Sequence, residues 1–187
     1  MDFGKNAAGL LVPVENVKHL REQVASILGS GRYHGQLFRK GELIDEWDDK
    51  NIVTNEGLNA TLNIMLGGGS QLSTWYIGLF TGNYTPVATD TAATIAANST
   101  EATGYTAGAR QQFQPAAASA QSISNAASRA SFTFNASLTI YGGFLVSSGT
   151  INGTSGTLFS AAQFSTPKAV VNLDQMLLTY TFSAASA

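Results

Sequence analysis

Apolar positions along this chain change rhythm several times, and each change marks an element. Residues 1–12 carry Gly4, Gly9 and the apolar trio Leu10, Leu11 and Val12, which reads as an extended arm. Behind Pro13, the residues Val14, Val17, Leu20, Val24 and Ile27 or Leu28 recur at helical spacing. Proline suits a first helical turn because its missing N–H has no intrahelical partner there. Gly29 stops the run, so one amphipathic helix of about four turns is expected. That helix packs either on its own domain or on a neighbour, because Gly29-Ser30-Gly31 reads as a flexible joint.

Next, Leu37 and Phe38, then Leu43, Ile44 and Trp47, flank Lys40-Gly41, a hairpin turn. Asn51-Ile52-Val53 adds a short strand. Thr54 then caps a second helix, with Leu58, Leu62, Met65 and Leu66 expected to face inward and Gly67-Gly68-Gly69 ending it. Beyond Gly69 the texture turns to strands. Trp75–Phe80 reads as a strand buried on both faces. Further strands are expected at Ala130–Ala136, Leu138–Val146, Gly156–Phe159, Ala169–Asn172 and Met176–Phe182, the last with Leu178, Tyr180 and Phe182 on one face.

Strands without crossover helices favour antiparallel pairing. The expected fold is therefore mainly β: an antiparallel β-sandwich or jelly roll with an N-terminal arm, a helix and a β-hairpin–helix section. Residues 1–31 form the arm and helix, and 32–187 the β domain. Residues 86–109 and 115–128 are long, rich in Ala, Ser and Thr, and poor in large apolar groups. Such stretches are uncommon in compact domains. Either they order against another surface, at little rotamer cost for small side chains, or they are disordered surface loops.

Charge sharpens this picture. Net charge is −2, which gives no field for nucleic acid or an anionic membrane. Charged residues make up 12% of the chain, against about 25% in a typical soluble domain. Sixteen of the 22 lie in residues 1–56; the remainder are Asp90, Glu101, Arg110, Arg129, Lys168 and Asp174. A body so poor in charge suggests surface covered by a partner, unless Ser, Thr and Asn alone hydrate it. No apolar run approaches the ~20 residues of a membrane span. No basic n-region precedes an apolar core near the N-terminus, so synthesis in a cytoplasm is expected. With no cysteine, disulfides and thiolate metal sites are excluded.

Candidate chemistry is thin. His19 and His34 stand alone, without HExxH or Ser/His/Asp spacing. Asp45, Glu46, Asp48 and Asp49 form an acidic cluster without EF-hand spacing, and read as a solvated turn. As a catalytic pair they lack a substrate cleft between them. Gly67-Gly68-Gly69-Ser70 is not a phosphate loop, because no GK[ST] follows. No catalytic residue, metal site or cofactor is expected, and the chain reads as non-enzymatic.

Several stretches together carry a resemblance. They are Asn51-Ile52-Val53-Thr54-Asn55-Glu56-Gly57-Leu58-Asn59, Trp75-Tyr76-Ile77-Gly78-Leu79, Glu101-x-x-x-Tyr105-x-x-x-x-Arg110 and Phe132-Thr133-Phe134-Asn135. Ile140-Tyr141-Gly142-Gly143-Phe144-Leu145 and Gly153-Thr154-Ser155-Gly156-Thr157-Leu158-Phe159-Ser160 complete the succession. Over roughly residues 50–183 it resembles small virion structural proteins of tailed bacteriophages, most closely capsid cement or decoration proteins. The resemblance implies a homo-oligomeric protein on the capsid surface, made in the bacterial cytoplasm. Its partners would be the major capsid protein and copies of itself, with no nucleic acid and no membrane. The expected partner contacts are Phe3, Leu10, Leu11 and Val12 in the arm and Val17, Leu20 and Val24 on the helix face. The alternative is a tail or fibre component recognising a host-surface glycan, through Trp75, Tyr76, Tyr84, Tyr105 and Tyr141.

Overall fold

The computed structural model describes Phe3–Lys5, Leu11–Pro13 and residues 28–185 of the 187-residue chain. Strands β1 (Phe3–Lys5) and β2 (Leu11–Pro13) pair antiparallel, Phe3 opposite Pro13. The charged section supplies β3 (Leu28–Arg39), β4 (Glu42–Lys50), β5 (Ile52–Val53) and helix α1 (Asn55–Met65). Then come β6 (Trp75–Phe80), helix α2 (Ala92–Ser99), β7 (Gln111–Phe113) and β8 (Ser122–Ser124). The chain closes with β9 (Ala130–Thr133), β10 (Leu138–Val146), β11 (Leu158–Val170) and β12 (Gln175–Ala185). The described residues divide into two compact units between Gly29 and Ser30 and between Ser183 and Ala184; the larger holds the buried core.

The protein is mainly β, with antiparallel sheets. One sheet runs β5-β11-β10-β6-β7; the other runs β4-β3-β12-β8, with β9 also on β12. Both contribute to a single core, Tyr33, Leu37, Phe132 and Leu178 from one sheet meeting Ile77, Leu79, Ile140 and Phe164 from the other. This two-layer arrangement is compatible with a β-sandwich. The first sheet is covered on its far side too, where Phe80, Phe144, Val146 and Leu158 pack with Ile95 of α2. That explains why Trp75–Phe80 reads as an unbroken apolar run: Ile77 and Leu79 enter one core, and Phe80 the other.

Three expectations are corrected, and Gly29-Ser30-Gly31, read as a flexible joint, lies within β3. Gly31 lies so close to its neighbours that a Cβ there would meet the Tyr180 hydroxyl at 2.6 Å. The expected strands at 156–159 and 169–172 belong to one strand, β11, of 13 residues. Pro167 obscured the join; it falls in a break of register, where Ile140 pairs with Lys168 and Gly142 with Gln163, so its missing N–H interrupts no ladder. Residues 86–109 fold onto this same chain, around α2. There Thr91 and Thr94 form a reciprocal capping box, and Ile95 is 1% exposed in the outer core. The acidic cluster, finally, is a strand rather than a turn, since Asp45, Glu46, Asp48 and Asp49 all lie on β4.

Candidate interaction surface

Buried charge is where this fold departs most from an ordinary surface. Of the six charged residues beyond position 56, five are buried and only Arg129 is exposed. Each buried one has a partner, because an unpaired charge taken out of water is prohibitively costly. Arg110 grips Glu101 with two parallel bonds of 2.7 and 2.8 Å, and both side chains are 1% exposed. The Arg110 guanidinium also donates to the carbonyls of Ser148 and Gly153, while Asn152 N–H donates to the Glu101 carboxylate at 2.6 Å. The pair thereby pins residues 148–153 against the segment that carries 101–110. Its guanidinium lies over the Phe144 ring, 5.0 Å from the centroid.

Lys168 Nζ reaches Asp45 at 2.9 Å and covers the Trp47 ring at 4.4 Å. Asp90 accepts from the Tyr84 hydroxyl, the Val87 N–H and the Thr94 hydroxyl, and so closes the turn into α2. Asp174 accepts a fork from Arg39, at 2.9 and 2.7 Å, together with the Val171 N–H. Among the described residues, most of the other charges lie on the β3–β4 hairpin, where Arg32 meets Asp48 and His34 meets Glu46. Because β4 is a sheet edge, its carboxylates oppose strand addition by another chain.

The Asp174 pair gives a pH prediction. Its carboxyl is held below the ordinary range chiefly by the Arg39 hydrogen bonds, aided by Val171 N–H and opposed by burial. A carboxyl depressed in this way adds stability above its unfolded pKa, near pH 4, and that stability is lost as pH falls through the folded value. Arg39→Gln is thus expected to lower the urea midpoint at about pH 7, by a deficit that shrinks as pH falls below about 4. A deficit of the same size at every pH would place the effect in lost packing instead.

α1 supplies a second feature, and with it another correction. Leu58, Leu62, Met65 and Leu66, expected inside, are 45%, 56%, 72% and 83% exposed. The Thr54 cap forms as expected, its hydroxyl accepting from Gly57 N–H at 3.0 Å. The helix, however, docks through its small residues. A Cβ on buried Gly57 would meet the Phe159 carbonyl oxygen at 2.5 Å, and Ala60, Thr61 and Ile64 continue that half-buried face. The glycine fixes the rotation of the helix and turns its leucines outward. Beside α1 opens a cleft of about 530 Å³, lined by Met65, Leu72, Trp75, Phe113, Phe159 and Phe182 among others.

Of the contacts expected in the arm and first helix, Phe3 lies in β1, and Leu11 and Val12 in β2. Leu10, Val17, Leu20 and Val24 lie outside the described residues. Among the aromatics considered for sugar stacking, Tyr105 is 3% exposed and edge-on to Phe132, and Trp75 packs edge-on against Phe159. Tyr84 is tied to Asp90. Among the described residues no three His, Cys, Asp or Glu converge on a point a metal could occupy. No helix among them is long and apolar enough to cross a membrane. No family model matches the chain, and no curated protein matches it.

Proposed function

We propose that this chain is a non-enzymatic structural protein of a tailed-bacteriophage virion. Its station is that of a capsid cement or decoration protein, which binds the outer shell between major capsid subunits and stabilises it. We read its two-sheet body as the β-sandwich or jelly roll of such proteins. The observation that carries the packing part is the exterior: beyond residue 56 it presents one exposed charge, Arg129, together with an exposed apolar helix face. A surface of that kind gains free energy by being covered, at about 25 cal/mol per Å² of apolar area. The shell as partner is supported by the sequence resemblance. Weak single contacts suffice there, because repetition over a symmetric lattice supplies avidity.

The test is direct. Purified protein is expected to bind expanded capsids that lack it and to raise their disruption temperature. No binding at saturating concentration would sink the proposal, and specific binding to host glycans would favour a tail or fibre station instead. Deleting residues 1–12 is expected to weaken shell binding by about tenfold or more. An unchanged affinity would show that the arm is not the anchor.

A further inference from the structure

We propose that Asn152-Gly153 is a self-modification site, where Asn152 converts through a cyclic imide to aspartate and isoaspartate at a rate held down by the buried Glu101–Arg110 pair.

Asparagine followed by glycine occurs once in the chain, at 152–153. The chemistry needs that order. The Gly153 backbone nitrogen attacks Asn152 Cγ, and the new C–N bond closes a five-membered ring. The nitrogen gives up its proton to base, and the side-chain amide nitrogen leaves as ammonia. Water then opens the imide at either carbonyl, leaving aspartate or, with the chain rerouted through the side chain, isoaspartate. A glycine nitrogen is the least hindered for such an attack, because no Cβ stands beside it. Asn152 is exposed in a turn, so base and water reach it.

The fold opposes ring closure at three points. The Gly153 N–H, which must lose its proton, donates to the Thr150 carbonyl at 3.0 Å. On one side of the reacting unit, the Asn152 N–H donates to the Glu101 carboxylate at 2.6 Å. On the other, the Gly153 carbonyl accepts from the Arg110 guanidinium at 3.1 Å. Ring closure turns the peptide that lies between these two anchors. Both anchors belong to one ion pair whose side chains are 1% exposed, so water does not loosen them. The coupling runs both ways. Isoaspartate adds a carbon to the backbone between the anchors, and so draws the Gly153 carbonyl away from Arg110.

Peptide mapping by mass spectrometry, with aspartate and isoaspartate resolved, tests this on the full chain held in mildly alkaline buffer. Asn152 is expected to convert before any other asparagine of the folded chain. It should do so about tenfold or more slowly than in the same chain unfolded by guanidinium chloride, since charge-assisted hydrogen bonds must break first. Glu101→Gln keeps the shape of the side chain but weakens its hold on the Asn152 N–H. It is expected to speed conversion several-fold while circular dichroism finds it folded. If it misfolds, Arg110→Lys, which loses the fork, gives the same reading. Equal rates in the folded and unfolded parent, or a folded variant no faster than the parent, would overturn the role of the pair. An Asn152 that stays intact in the folded parent while it converts in the unfolded chain would overturn the site itself, as would earlier conversion of another asparagine.

Discussion

Arg110→Ala is expected to destabilise the protein by about 3–5 kcal/mol, because it leaves the Glu101 carboxylate buried without its counter-charge. Both side chains are 1% exposed, so water cannot take over the role of the guanidinium. Two carbonyls, of Ser148 and Gly153, lose their donor in the same step. The ring of Phe144 loses the cation above it. For a chain of this size the melting temperature should fall by roughly 10 °C. Replacing both partners, as Glu101→Leu with Arg110→Met, removes the stranded charge and should recover part of the loss. Full recovery is not expected, since Asn152 N–H and the two carbonyls still lack partners. Urea unfolding of the singles and the double closes the cycle. A loss below about 1 kcal/mol in Arg110→Ala would mean that the pair is not desolvated in solution.

The elements readable from sequence were those whose signals are local. Leu138–Val146 is β10 to the residue, because its apolar run is bounded by turn-forming neighbours. Lys40-Gly41 makes the β3–β4 turn with both residues at positive φ, 52° and 84°, as a tight hairpin demands. Thr54 caps α1 through its own hydroxyl. What sequence obscured depended on distant partners. The inward face of α1 was misread because hydrophobicity favours Leu58 and Leu62, whereas close approach to the Phe159 backbone selects Gly57. Small residues permit the contact by their absence of bulk, and a hydropathy pattern does not register that.

The candidate surface was legible by half. The scarcity of charge beyond residue 56 is plain in the sequence, and it already suggests covered surface. What it conceals is that most of those few charges are internal. Asp174 finds Arg39 across 135 positions, and Lys168 finds Asp45 across 123. No local spacing announces such pairs. Glu101 and Arg110 are nine apart and noticeable as a motif, yet only the fold shows them fastening loops rather than facing a ligand.

The second large effect concerns the glycines of β6 and β10. Gly142→Val is expected to cost about 3 kcal/mol or more, at the upper end of overpacking penalties. Opposite Gly142 stands Phe80, and opposite Phe144 stands Gly78, so two Phe–Gly pairs face each other in reversed order across one ladder. Each ring lies over the glycine of the other strand. A Cβ at Gly142 would strike both the Phe80 ring and the Ala162 carbonyl oxygen, and the latter is backbone that cannot rotate away. At Gly78 the three nearest obstacles are all atoms of the Phe144 ring, so Gly78→Ala should cost less, and pairing it with Phe144→Leu should show favourable coupling. Relief is partial because the Arg110 guanidinium also lies over that ring. Gly143 provides the control: its added Cβ would come no nearer than 3.3 Å to anything, so Gly143→Ala is expected to cost under about 1 kcal/mol. Urea unfolding of the series should rank Gly143→Ala mildest, Gly78→Ala next and Gly142→Val worst. If Gly143→Ala proved as damaging as Gly142→Val, backbone freedom rather than room for the rings would be the reason for glycine here.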